Sequence, residues 1–245
     1  MRALELDDSL AEAHTSLGRI RAAWEWDWAG AEREYKRAID LNSRYALAHQ
    51  WYGLYLAAVG QTDASRDQRK QALDLEPLSP IVNFEYGQSF FWLRDYQRAI
   101  EQYQKTLELD PNLPAVYVYL GAAYDLTGKY DAAIDVYQKI PAKSGNEWGL
   151  AMGGLARVYA ITDRKAEARK IIVELESRRK TEYVPAPGIA LAYAALSETD
   201  QAFKWLEKAE EDRAFQLQWL KVDPRWDAIR SDPRFIEIIH RMGLP

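Results

Sequence analysis

Apolar residues along this chain recur at i, i+3, i+4 and i+7, as in Tyr96, Ala99, Ile100 and Tyr103. That spacing draws a stripe down one face of a helix, whereas a strand would alternate. The pattern predicts roughly 70–80% helix and essentially no strand, far above an ordinary domain. A longer period lies on top of it. Small residues return at Ala31, Ser65, Ala99, Ala133, Ala168 and Ala202, spaced 34, 34, 34, 35 and 34. Upstream, Gly18, Gly53, Gly87 and Gly121 are followed in the same slot by Ala156 and Ala190. Large residues precede this second series, at Leu17, Tyr52, Tyr86, Leu120, Leu155 and Ile189. Another slot holds Tyr35, Arg69, Tyr103, Tyr137, Ile172 and Leu206. A shared phase in so many slots defines a structural repeat.

Gly60 and Gly128 fall midway through their units, so each unit reads as a helix, a turn and a second helix. The small slots let paired helices approach to about 8–10 Å. One pair cannot bury its apolar face alone, so successive pairs must stack into a solenoid. The repeat divides the chain into units at 10–43, 44–78, 79–112, 113–146, 147–181 and 182–213. Residues 1–9 read as the remnant of a preceding unit, with 2–8 as the close of a second helix whose partner is missing. A chain that begins mid-unit implies a piece of a longer protein. The first unit carries one extra residue near 26–28. The fourth ends early at Pro141, which makes 142–146 an irregular connection. In the tail, Asp223-Pro224 and Asp232-Pro233 are helix starts, each a cap acceptor followed by a residue needing no N–H. Gly243 stops the last helix. Residues 214–245 are therefore expected to cap the open end of the stack.

These motifs resemble the tetratricopeptide repeat family over roughly residues 1–210, most closely at Asp95-Tyr96-Gln97-Arg98-Ala99-Ile100 and Leu107-Glu108-Leu109-Asp110-Pro111. The resemblance implies an all-α, right-handed α-solenoid of about six helix–turn–helix units. It also implies a concave groove, lined by the first helix of each unit, that takes a peptide or partner segment. His14 and His49 depart from the family, replacing the usual aromatic ahead of the glycine. The wording around 26–32 and 231–235 further resembles the C-terminal repeat regions of bacterial multidomain signalling proteins, where a winged-helix, kinase or cyclase domain precedes the repeats. That likeness implies a regulatory role for this segment.

The net charge of −5, from 32 Lys+Arg against 37 Asp+Glu, offers no concentrated basic face for nucleic acid. The absence of cysteine excludes disulfides, thiolate metal sites and thiol nucleophiles. No apolar run approaches the length of a membrane span, and the acidic start is unlike a signal peptide. A cytoplasmic location is expected, or a periplasmic one if a membrane span lies upstream. Gly121, Gly128 and Lys129 do not form a phosphate loop, because six residues separate the glycines and Tyr130 follows the lysine. His14 and His49 read as packing residues, and Trp24, Trp26 and Trp28 as filling an enlarged turn. With no catalytic constellation and no cofactor or metal motif, the expected function is a non-catalytic scaffold with a protein or peptide partner.

Helical spacing from the glycine slot places Gln50, Leu54, Phe84, Gln88, Phe91, Trp92, Val118, Ala122 and Asp125 on the groove, together with Thr15 and Arg19. Phe84, Phe91 and Trp92 share one face at i, i+7 and i+8. Aromatics at that spacing are usually core, but Tyr86, Phe90, Tyr96 and Tyr103 already fill the core side. Burial and exposure on the concave face are both open, and the function reading takes the exposed one. The family's carboxylate clamp uses Lys and Asn in the first two of these slots; this chain has neither, so a chaperone-tail receptor is not expected. The alternative function is a small-molecule sensor, with an effector held against Phe84, Phe91 and Trp92.

Overall fold

A computed structural model describes residue 4 and residues 6–244. Part of the expected helix remnant, at residues 2, 3 and 5, therefore lies outside the described residues. Within them the chain is three-quarters helical and has no strand. Thirteen α-helices are bounded among the described residues. Twelve of these make six antiparallel pairs: α1 (Ala11–Ile20) with α2 (Trp28–Leu41), α3 (Ala46–Ala58) with α4 (Thr62–Leu75), α5 (Pro80–Trp92) with α6 (Tyr96–Leu109), α7 (Pro114–Leu126) with α8 (Tyr130–Tyr137), α9 (Asn146–Ile161) with α10 (Lys165–Arg178), and α11 (Ala186–Ala195) with α12 (Thr199–Glu211). Neighbouring pairs stack on one another, and the whole is an α-solenoid.

The repeat slots have physical occupants. A Cβ on Gly18 would sit 3.0 Å from the Tyr35 ring, one on Gly87 2.7 Å from Tyr103, and one on Gly121 2.5 Å from Tyr137. Each glycine thus makes room for the tyrosine of the facing helix. The second unit keeps the arrangement with an arginine, since a Cβ on Gly53 would meet Arg69 Cγ at 2.6 Å. Arg69, Tyr35, Tyr103 and Tyr137 are all fully buried.

The turn inside each pair passes through one left-handed residue. These are Trp26, Gly60, Arg94, Gly128, Asp163 and Ser197, with φ between 56° and 86°. They keep the repeat spacing of 34 or 35 residues, yet only two are glycine. In the first unit the extra residue is absorbed by a π-helical turn, Arg21–Glu25. Trp28 is buried, Trp26 is partly buried and Trp24 is exposed, so the three tryptophans do not all fill the turn. After α8 the chain breaks at Pro141 and passes through a short 3₁₀ turn, Ala142–Ser144, before α9. The caps form as their residues dictate, with Asp27, Asp95, Asp223 and Asp232 accepting from backbone N–H groups two or three positions on.

The tail departs from expectation. Its final helix α13 (Pro233–Arg241) does pack on α12, as a cap must. Residues 215–226 instead run back along the inner side of the superhelix, in two 3₁₀ turns (Phe215–Trp219 and Pro224–Trp226) set against first helices of several units. The tail then reaches the first unit, where Trp28 Nε1–H donates to Met242 O at 2.8 Å and Arg213 donates to Trp24 O at 2.7 Å.

Candidate functional site

The first helices α1, α3, α5, α7, α9 and α11 line the concave side. Three of them, α3, α5 and α11, are buried nearly all round, because second helices cover one face and the tail covers the other. The tail is anchored by Trp219, which stacks on Trp92 with centroids 5.5 Å apart and donates to Leu54 O at 3.4 Å. Farther along, Arg225 lies over the Tyr119 ring and makes a buried ion pair with Asp223 at 2.5 Å. Burial alone would lower the Arg225 pKa, but Asp223 raises it on balance. Between this stretch and α7, α9 and α11 only about 20 Å³ of free space remains.

This corrects the expected exposure of the groove. Phe84, Phe91 and Trp92 are 5%, 0% and 4% exposed. Phe91 is enclosed by Tyr96 and Tyr119, with centroids 5.8 and 5.5 Å away, and Trp92 lies beneath Trp219. Gln50, Leu54, Gln88, Val118, Ala122 and Asp125 are buried as well. Asp125 is held by Arg157 from α9; burial raises its pKa and the arginine opposes the shift. The helical spacing placed these residues on the inner side; it could not show that the chain itself covers them.

Covering is incomplete. A cavity of about 300 Å³ remains between α1, α3, α5, α7, α9 and the Phe215–Trp219 turn. Of the groove residues expected from sequence, Leu54, Phe84, Gln88, Val118 and Arg19 line it, whereas Gln50, Phe91, Trp92, Ala122 and Asp125 do not. An effector could therefore touch Phe84 but not Phe91 or Trp92. Glu85 and Trp51 also line the cavity.

Sequence reasoning missed the charges at this place. Arg69, buried in the slot that holds Tyr, Ile or Leu in the other units, donates to Glu85 O and packs its guanidinium 4.6 Å from the Trp92 ring centre. Burial pushes the Arg69 pKa down to about 10, with Glu85 opposing. Burial pushes the Glu85 carboxyl up to about 7, opposed by Arg69 and by a hydrogen bond from Gln50. The signal was present in the sequence as an arginine among tyrosines and aliphatic residues.

The histidines are structural. His14 contacts Glu34 Oε2 at 2.6 Å and Asp8 O at 3.1 Å; His49 contacts Gln68 Oε1 at 2.7 Å and Ser43 O at 3.0 Å. Both tie their own helix pair to the preceding loop. Among the described residues no group of three His, Cys, Asp or Glu could hold a metal ion. Nor, among them, is any helix long and apolar enough to cross a membrane.

Two tetratricopeptide repeat family models match, one over residues 53–114 and one over 93–149. No curated protein matches the chain. Among solved structures, a tetratricopeptide repeat protein from Parabacteroides merdae superposes with a TM-score of 0.67 at 16% identity, covering 85% of this chain and 82% of that one. PilF of Pseudomonas aeruginosa gives a TM-score of 0.59 at 22% identity, covering 74% and 81%. YrrB, described as a TPR protein with an unusual peptide-binding site, gives 0.52 at 15% identity, covering 84% and 96%. At these identities the likeness speaks for the fold.

Proposed function

Because this chain belongs, through residues 53–149, to the tetratricopeptide repeat family, we propose that it is a non-catalytic scaffold whose inner groove receives a short segment of a protein partner. The observation that supports this reading is the tail itself. Residues 215–226 are an irregular stretch with an aromatic anchor, and they lie in the groove as a bound segment would, with Trp219 seated on Trp92. The groove's chemistry accepts such an occupant: aromatic walls take an apolar anchor, while Gln88 takes an amide. The YrrB structure, with its peptide-binding site, is a second support of the same kind. The partner's anchor then enters the space left beside the tail, against Leu54, Phe84 and Val118. The six units, at the boundaries read from the repeat, form the regulatory part of a larger bacterial signalling protein in the cytoplasm.

The test is selection of peptides from a random library on the intact protein. Peptides carrying an aromatic or large aliphatic anchor should emerge, and Ile81→Asp, at an exposed residue of the cavity wall, should weaken their binding at least about tenfold while leaving the helical spectrum intact. Peptides that bind equally well to this variant would refute the groove as the binding surface.

A further inference from the structure

The cavity beside Trp219 is lined by three ionisable groups, Arg19, Glu85 and Glu147, of which Arg19 and Glu85 attract each other without forming an ion pair in contact. Arg19 is mostly buried, and its guanidinium lies between two rings, 4.6 Å from the Phe215 centre and 5.8 Å from that of Trp51. Among the described residues no carboxylate pairs with it and no acceptor takes its N–H groups. Across the cavity, Glu85 Oε2 is buried without a hydrogen-bond partner. Glu85 is only 7% exposed, and Gln88 beside it is equally enclosed. Leu54, Phe84, Val118 and Trp219 supply apolar walls between these poles. A buried carboxyl oxygen left without a hydrogen-bond partner costs free energy that a complementary ligand would recover.

We propose that this cavity is a binding site for a free amino acid with a large apolar side chain. The ligand carboxylate meets Arg19, which offers a planar fork of donors suited to it. The ligand ammonium meets Glu85, and the side chain lies against Phe84 and Val118. The volume of about 300 Å³ suits a ligand of this size. Burial lowers the Arg19 pKa, with Glu85 opposing, and raises that of Glu85, with Arg69 and Gln50 opposing. Since Phe215 and Trp219 belong to the tail and the remaining walls to the repeats, the ligand fastens one to the other. This site does not require the partner groove to be correct, because it is tested with free small molecules.

Calorimetric titration and thermal unfolding of the intact protein with L-phenylalanine and L-leucine decide the matter. Saturable binding with a rise in melting temperature is expected. 3-Phenylpropionate, which lacks the ammonium, and 2-phenylethylamine, which lacks the carboxylate, should each bind about tenfold more weakly or worse. Arg19→Gln should weaken phenylalanine and phenylpropionate alike, whereas Glu85→Gln should weaken phenylalanine and spare phenylpropionate. Should Glu85→Gln fail to fold, Arg19→Gln and the two analogues still decide. No response to any of these amino acids at about 10 mM, or unchanged affinity in Arg19→Gln, overturns the proposal. Binding of library peptides without binding of free amino acids would overturn it too, while leaving the scaffold reading standing.

Discussion

Trp28 in the first unit donates its indole N–H to the carbonyl of Met242, which lies 214 residues farther along the chain. Replacing Trp28 by Phe keeps an aromatic ring but leaves that buried carbonyl unsatisfied, at a cost of about 1–3 kcal/mol. Amide exchange in α13 should accelerate more than exchange in α5 or α7. Equal acceleration everywhere would mean that the contact carries no local load.

Trp219 is the tail's main anchor, so Trp219→Ala should cost about 3–5 kcal/mol, the range for deleting a large buried aromatic. The exposed Arg94–Asp227 pair offers the contrast. Although it spans 133 residues at 2.5 Å, both partners are close to half exposed, and Asp227→Ala should cost less than about 1 kcal/mol. Denaturant melts of the two variants give the comparison directly.

Of the six left-handed turn residues, Ser197 donates and accepts no side-chain hydrogen bond that would favour its φ of 63°. Ser197→Gly should therefore stabilise the protein by up to about 1 kcal/mol. Gly128→Ala, at φ +74° with open space around it, should lose a similar amount through strain alone. Thermal melts should shift in opposite directions.

A different glycine is limited by contact. A Cβ on Gly153 of α9 would lie 2.3 Å from the backbone oxygen of Gly188 in α11. Neither atom belongs to a side chain that can swing aside, so Gly153→Ala must push two helices apart. A loss of about 1–3 kcal/mol or more is expected, read as a lower denaturation midpoint.

Glu85 sets a pH dependence. Its carboxyl holds a proton up to about pH 7 in the folded chain, against an ordinary value of 4.5. Between those values the folded state binds more protons than the unfolded state, so stability falls as pH rises through the window. The difference in stability between wild type and Glu85→Gln should decline from pH 4.5 to pH 7 and level off above it. A flat difference would show that Glu85 titrates as an exposed carboxylate does.

Much of the fold is legible in the sequence because its causes are local. Tyr103 needs Gly87 opposite, Asp95 caps its own helix, and Pro141 ends one; each acts within a single unit and repeats. The groove is legible only in outline. The i, i+7 and i+8 spacing puts Phe84, Phe91 and Trp92 on the inner side, but the cover on Trp92 comes from residue 219, in a stretch with no periodicity to extrapolate. The clue there is compositional: Phe215, Leu217, Trp219 and Leu220 form an apolar run with no repeat partner of its own. Arg69 and Glu85 escaped for another reason. Slot analysis assigns a size to each position, and arginine passes as a large residue until its buried charge is considered.

Ordinary solenoids fray, since a terminal unit has a neighbour on one side only and peels away first. Here the tail links the last unit to the first through Met242 and Trp28. The stack behaves as a latched loop: neither of the two units so joined can peel until the latch opens, and the latch, with a sequence separation of 214 residues, closes late during folding. Drawn apart by its two ends, such a molecule should resist as one body and then yield in a single large step, with the individual units giving way only afterwards.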